Sequence, residues 1–400
     1  MITYETLEEA RRRLAPVIIR TPLIPAPNLG RLVGADVYLK LENLQRTGSF
    51  KFRGAYVKLS RLAETGTGMR VAAASAGNHA QGVALAARLL GLQATIFMPK
   101  NASLAKREAA AGYGAEVRLE GDNVEESLAA ARALWGDGRF IHPFDDEEII
   151  AGQGSVGLEI MEDLADVEAV VVPVGGGGLL AGTAAAVKAV NPKVKVVGVE
   201  PDRAASAAAA LARGRPVDIP TRPTLADGTR VARIGDLVLP YLQKFVDQLV
   251  QVGEEHIAQA MLLLLERRRV VAEGAGALPL AAFPAGAIPD LVGKKVVLVI
   301  SGGNVDANLV GRIIDQGLVR SGRIFRCSVI LDDRPGALAG LLSEAAELGA
   351  NVLHIHHDRL GKNLPVSSTR VGLDLETRGF GHIAEIASRL RARGYDVTED

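Results

Sequence analysis

From residue 70 to 200, short apolar runs alternate with segments of helical period. Val71–Ser75, Thr95–Met98, Glu116–Leu119, Ala169–Val174 and Val194–Glu200 read as strands. Ala80–Leu90, Leu104–Ala111, Val124–Trp135 and Leu179–Val190 read as the helices between and after them. Apolar strands separated by helices describe an α/β fold, a mostly parallel sheet covered on both faces. A sixth run, Lys295–Ile300, comes late and leads into a helix over Val305–Gln316. In open α/β sheets ligands bind at the carboxyl ends of the strands, so chemistry is expected just after each run. Asp202–Arg222, rich in Ala, Arg and Pro, reads as a helix plus a loop, and Ala281–Pro289 as an irregular connector.

The texture changes after Gly317–Gly322. Ile324–Leu331 alternates, DRPGALAGLLSEAAELGA reads as turn and helix, and NVLHIHHD as a second strand. Val371–Leu375, a helix around Ile383–Arg393 and Tyr395–Val397 complete a β-α-β-β-α-β count, a ferredoxin-like α+β pattern. The boundary is expected near 320–325, with an α/β region over 1–320 and the small domain over 325–400. A chain of 400 residues agrees with about two or three domains.

Composition adds exclusions. Lys+Arg and Asp+Glu both total 46, so no dominant polyanionic partner such as nucleic acid is expected. The runs Arg11–Arg13 and Arg267–Arg269 read as solvated helix faces. Cys327 is the single cysteine. It rules out an intrachain disulfide, suits a reducing cytosol, and reads as filler in an apolar strand. MITYETLEEARRRLAPVI lacks the basic leader and apolar run of a signal peptide. No stretch reaches the ~20 apolar residues of a membrane span. A soluble, cytoplasmic protein with no membrane partner is expected.

Four clusters carry candidate chemistry. In Thr47–Gly54, Lys51 stands between Phe50 and Phe52. Desolvation by such neighbours lowers an amine's pKa and readies it for a Schiff base, although a surface lysine opening a helix gives the same pattern. Ser75-Ala76-Gly77-Asn78-His79 follows a strand and opens a helix whose first amides can hold a carboxylate. There Asn78 serves equally as a donor or a cap, and His79 alone reads as a packed helix residue more readily than a catalyst. Gly175-Gly176-Gly177-Gly178-Leu179 joins an apolar strand to an apolar helix. Glycines turn their N–H groups inward there and the helix dipole adds to them, a phosphate cradle without the P-loop Lys-Ser/Thr or the spaced dinucleotide glycines. Ser301-Gly302-Gly303-Asn304 follows the last strand; its hydroxyl can face a ring nitrogen, or the segment is a tight turn.

Together and in this order, the clusters resemble the fold-type II pyridoxal-phosphate family, tryptophan synthase β-like, with the closest likeness to threonine and serine dehydratases. The lead-in Lys40-Leu41-Glu42-Asn43-Leu44-Gln45 is typical of that group. The resemblance implies two open, mostly parallel α/β domains within residues 1–320, the smaller over about 48–145. It implies Lys51 as the covalent anchor of pyridoxal 5′-phosphate, Phe50 against the ring and Asn78 on the 3′-oxygen. Gly175, Gly176, Gly177, Gly178 and Leu179 are implied at the phosphate and Ser301 at the pyridine nitrogen. Ser75, Ala76, Gly77, Asn78 and His79 are implied at the substrate carboxylate. A neutral hydroxyl at Ser301 favours expelling a β-substituent over transamination. The implied activity is elimination of water and ammonia from threonine or serine.

Racemases of the family carry a serine as second base where Ala76 stands here. The family's divalent-metal place would fall near Glu200, Ala204 and Ser206, where a serine replaces the expected carboxylate. No divalent metal is therefore expected; a monovalent cation stays open. Residues 325–400 resemble an ACT domain, with Asp333-Arg334-Pro335-Gly336-Ala337-Leu338 as the turn. That resemblance implies an amino-acid effector, isoleucine or valine, and a homodimer or homotetramer. The alternatives are a serine racemase or β-replacement enzyme on the same fold, and a non-catalytic amino-acid sensor.

Overall fold

A computed structural model describes residues 1–66, 69–135, 139–360 and 364–399. Contacts divide the chain into two units, Met1–Val305 and Asp306–Asp400. The first unit opens with α1 (Tyr4–Leu14), β1 (Leu23–Pro25), α2 (Pro27–Val33), β2 (Asp36–Leu41), α3 (Lys51–Glu64), β3 (Arg70–Ala74) and α4 (Asn78–Leu89). It continues through β4 (Gln93–Met98), α5 (Leu104–Gly112), β5 (Glu116–Leu119), α6 (Val124–Trp135), α7 (Glu147–Asp163), β6 (Ala169–Pro173) and α8 (Gly178–Val190). It closes with β7 (Lys195–Pro201), α9 (Ser206–Arg213), α10 (Val238–Phe245), β8 (Gln248–Val252), α11 (Glu254–Arg268), α12 (Gly274–Ala281) and β9 (Lys295–Ile300).

Its larger sheet has the order β1-β2-β9-β6-β7-β8 and is parallel except where β1 meets β2. A second parallel sheet, β3-β4-β5, lies between β2 and β6 in sequence, and Phe140 pairs with Ala72 beside it. Val170, Val171, Val172 and Val296–Ile300 are buried, as expected of strands covered on both faces. The strands and helices expected between 70 and 200 are present, with ends shifted by a residue or two.

α7 is an element that periodicity does not announce. Asp146 caps it by accepting from the Glu148 and Ile149 amides. Its glycines cost about 1 kcal/mol each in helix propensity. They are offset by close approach: a side chain at Gly152 would meet the backbone of Gly54 on α3, and one at Gly157 the Thr183 carbonyl on α8.

A buried charge quartet joins the same elements. Arg53 on α3 donates to both oxygens of Glu42 (2.7 and 2.8 Å) and of Glu159 on α7 (2.7 and 2.9 Å). Lys40 at the end of β2 donates to Glu159 (2.5 Å) and to the Thr21 carbonyl (2.7 Å). All four side chains are almost fully buried. Two positive groups set against two negative ones avoid the cost of an unpaired buried ion.

The second unit runs α13 (Ala307–Arg320), β10 (Ile324–Asp332), α14 (Ala337–Glu347), β11 (Asn351–Asp358), β12 (Ser368–Glu376), α15 (Phe380–Ala392) and β13 (Asp396–Glu399). Its sheet is antiparallel in the order β11-β12-β10-β13, a ferredoxin-like topology. Inward residues of β10 and β12, Cys327 among them, form its core with Leu341, Ile386 and Leu390. The division at 305/306 places α13 with this unit, ahead of the change of texture near 320–325. No helix among the described residues is long and apolar enough to cross a membrane.

Candidate active site

β2 and β9 lie side by side with Leu41 opposite Ile300, so both segments leave the sheet at one level. They then pair in the opposite sense. Ser49 bridges Gly302, the Phe50 amide donates to the Ser301 carbonyl (3.0 Å), and the Gly303 amide donates to the Gly48 carbonyl (2.9 Å). α3 starts from this pairing, with Lys51 as its first residue. Clusters at opposite ends of the first unit's sequence are thereby joined, and Ser301 is buried beside them.

The half-buried Lys51 projects its amine 2.8 Å from the Pro143 carbonyl and 5.2 Å from the centre of the Phe50 ring. Loss of water pushes its pKa down to about 8, against the pull of the Glu273 carboxylate. The loop after Phe140 that supplies this carbonyl also walls the glycine turn. Side chains at Gly176 or Gly178 would run into Phe144, and one at Gly175 into Thr229. Gly177 holds a left-handed φ of 88° and caps α8. Asp145 fixes the loop from behind by accepting from the Asp236 (3.1 Å) and Leu237 (2.9 Å) amides. Lys51 and the glycine turn thus meet adjacent residues of one loop, Pro143 and Phe144. The Leu179 side chain is in the core, which leaves only its amide for a ligand.

The Ser75–His79 segment follows β3. Ser75 accepts from the Gly77 amide (3.1 Å), and α4 begins with no side-chain cap, so its first-turn amides have no intrahelical partners. His79 is buried with Nε2 2.9 Å from the Ile141 carbonyl, and burial, then Lys51, push its pKa down to about 3. Its ring is occupied by that packing, which leaves its backbone amide to serve a ligand. Asn78 donates through Nδ2 to Glu273 (2.7 Å) and accepts at Oδ1 from Asn304 (2.7 Å). Asn304 also donates to the Thr47 carbonyl (2.8 Å). Glu273 is buried, which raises its pKa to about 7; Asp227 adds to the rise, while Asn78, Lys51 and Lys106 oppose it.

Sequence reasoning misses Glu273, the Pro143–Asp145 loop and the bonds of Asn304. The available signal for Glu273 was a lone carboxylate in the apolar, small-residue run VVAEGAGALPLA. At the end of β7, Glu200 accepts from the Ala207 (3.1 Å) and Ala208 (3.0 Å) amides, and burial lifts its pKa to about 7. Ser206 Oγ nearby is buried and unpaired among the described residues.

A glycine turn closed to side chains at the start of a thirteen-residue helix suits a phosphate held by backbone amides. A desolvated amine stands on the other side of one shared loop. Residues 14–302 match the pyridoxal-phosphate dependent enzymes, and the chain belongs to that family. Over 399 residues, 99% of each chain, it is 51% identical to the L-threonine ammonia-lyase of Thermotoga maritima. It is 46% identical, over the same share, to the L-threonine ammonia-lyase of Geobacter sulfurreducens. Among solved structures, a threonine deaminase from T.th. superposes with a TM-score of 0.71 at 42% identity, covering 76% of this chain and 99% of that one. Maize serine racemase superposes with a TM-score of 0.73 at 32% identity, covering 80% and 98%. The fold-type II architecture and the pyridoxal-phosphate cofactor expected from the sequence are those of this family.

Proposed function

We propose that the protein eliminates water from L-threonine, and from L-serine, and that the released enamine takes up water and loses ammonia to give 2-oxobutanoate or pyruvate. The observation that carries this reading is that the Lys51 amine and the glycine turn meet adjacent residues of one loop, while the residue before Lys51 pairs with Ser301. The two ammonia-lyases similar over 99% of the chain support threonine as substrate. Lys51 anchors the cofactor. Gly175–Gly178 and the Leu179 amide hold its phosphate, Phe50 its ring, Asn78 its 3′-oxygen and Ser301 its pyridine nitrogen. Bound pyridoxal phosphate supplies a carbonyl that takes the substrate amine and a conjugated ring that accepts the electron pair left when the Cα proton departs.

The chain's own groups do the rest. With a pKa near 8, Lys51 is partly neutral at physiological pH; once displaced by the substrate amine it accepts the Cα proton as general base. The first-turn amides of α4, from Asn78, hold the substrate carboxylate at a helix N-terminus. Ser301 offers an uncharged hydroxyl to the ring nitrogen. Such a partner would leave the nitrogen largely unprotonated, which favours loss of the β-hydroxyl, with a proton, as water over transfer of the Cα proton to another carbon. Ala76, unlike a serine, offers no second base for racemisation.

For the second unit we propose an ACT-type role: it binds an amino-acid effector, isoleucine or valine, and pairs with a second copy in a homodimer or homotetramer. Its ferredoxin-like sheet supports this. The buried thiol of Cys327 suits a reducing cytoplasm.

The test is an ammonia-release assay with L-threonine, L-serine and their D-forms. The expected products are 2-oxobutanoate or pyruvate with ammonia, lost in Lys51→Ala together with the visible absorbance of the bound cofactor. D-amino acid as main product, or turnover only with an added nucleophile, would establish the racemase or β-replacement alternative. Absence of visible absorbance in the wild type after cofactor addition would establish the sensor.

A further inference from the structure

Asn78 has an amide that must present one particular end to the cofactor. A chain of three side chains decides which end. The Thr47 carbonyl can only accept, so the end of Asn304 that faces it is Nδ2 (2.8 Å). The same nitrogen reaches Asn78 at 2.7 Å, so the atom of Asn78 that faces it is Oδ1. The Nδ2 of Asn78 is thereby turned toward Glu273, whose Oε1 accepts one of its two protons at 2.7 Å. Among the described residues one N–H of Asn78 is left over, and it is a donor.

Two glycines make room for this chain. Gly48, with φ 70°, lies under Asn304, and a side chain there would occupy the place of its amide. Gly302, next to Ser301, lies under Glu273, and a side chain there would collide with the carboxyl. Glu273 is also tied to the site by its backbone, whose amide donates to the Gly302 carbonyl (3.1 Å). The charged groups that act on it come from three elements: Asp227 in the loop before α10, Lys51 on α3 and Lys106 on α5. A carboxyl this deeply buried is costly to retain without a task.

We propose that Glu273 and Asn304 are positioning residues that lock the Asn78 amide with its free N–H toward the 3′-oxygen of pyridoxal phosphate. The proposal rests on the assignment of Asn78 to that oxygen. A locked donor needs no reorientation when the ligand arrives, which lowers the cost of binding. Loss of the acceptor leaves the amide held by the Asn304 bond alone, so the free N–H is no longer fixed in direction.

The experiment is a titration of each cofactor-free protein with pyridoxal phosphate, read by visible absorbance, in a double-mutant cycle. Asn78→Ala and Glu273→Ala are each expected to weaken cofactor binding about tenfold, the worth of one buried hydrogen bond. Glu273→Ala in the Asn78→Ala background is expected to add less than about twofold, because the group it positions is gone. Glu273→Gln, which keeps a carbonyl acceptor at the same distance, is expected to bind within about threefold of wild type. Additive losses, or a Gln variant as weak as the Ala variant, would overturn the positioning role while leaving Asn78 in place. Unchanged binding in Asn78→Ala would instead remove the Asn78 assignment, and the proposal with it.

Discussion

At the scale of the residue, Lys51 joins chemistry to pH. An ordinary lysine releases its proton near 10.4; here burial brings that to about 8. Only the neutral amine attacks an aldehyde, so uptake of pyridoxal phosphate by the cofactor-free protein should accelerate as pH rises through about 8 and level off above it. Stopped-flow absorbance at several pH values checks this, and a rate that climbs without levelling to pH 10 would contradict it. The same shift has a stability sign. Between about 8 and 10.5 the unfolded chain binds a proton that the folded chain does not, so this residue's contribution to stability rises with pH across that window. Lys51→Met should remove that slope from denaturant midpoints of the cofactor-free protein. The sequence discloses Lys51, Asn78, Ser301 and the four glycines because each follows a strand or opens a helix, where local rules already expect a ligand. Glu273 obeys no local rule. Its meaning comes from Asn78, 195 positions away, and no periodicity encodes that pairing.

At the scale of the element, the glycine turn and α7 show the same division. The turn is legible because four glycines between an apolar strand and an apolar helix have few other uses. What is not legible is the wall behind them. Phe144 closes the space over Gly176, and the chain reaches it through a loop after a single bridge at Phe140. Gly176→Ala should force turn and loop apart. Overpacking of this kind costs about 1–3 kcal/mol, which predicts cofactor binding weakened by about fivefold to a hundredfold, with the far-ultraviolet circular dichroism unchanged. α7 is hidden for the opposite reason: its glycines argue against a helix until α3 and α8 are placed against it. The quartet of Lys40, Glu42, Arg53 and Glu159 is hidden too, since charged residues read as surface. Its four members tie the end of β2 and α7 to the first turn of α3, two residues beyond Lys51. Arg53→Met leaves the buried Glu159 with Lys40 alone and the buried Glu42 with no cation, only the Thr21 hydroxyl. Removing one partner from such a network costs about 3–5 kcal/mol. The unfolding free energy of the first unit should fall by that amount, seen as an earlier denaturation midpoint; a loss under about 1 kcal/mol would show that solvent already screens these charges.

At the scale of the whole molecule, the chain divides into two units and carries one thiol. Cys327 is fully buried in the second unit, on β10 between β12 and β13. A thiol reagent can reach it only when that unit opens, so the labelling rate reports the unit's opening free energy. If the second unit is where an amino-acid effector binds, the effector stabilises the closed form by mass action. At a hundredfold excess over its dissociation constant this is about 2.7 kcal/mol, equivalent to labelling slowed about a hundredfold. Regulation adds a second requirement. An effector that alters the affinity for threonine must have its own affinity altered by threonine to the same degree. The half-maximal isoleucine concentration for protecting Cys327 should therefore move when a non-reacting threonine analogue is added, by the factor with which isoleucine shifts the analogue's own binding. Protection without that shift would mean that the second unit binds the amino acid but does not communicate it. A shift in threonine affinity without protection would place the effector on the first unit, and the ferredoxin-like module would then need another ligand.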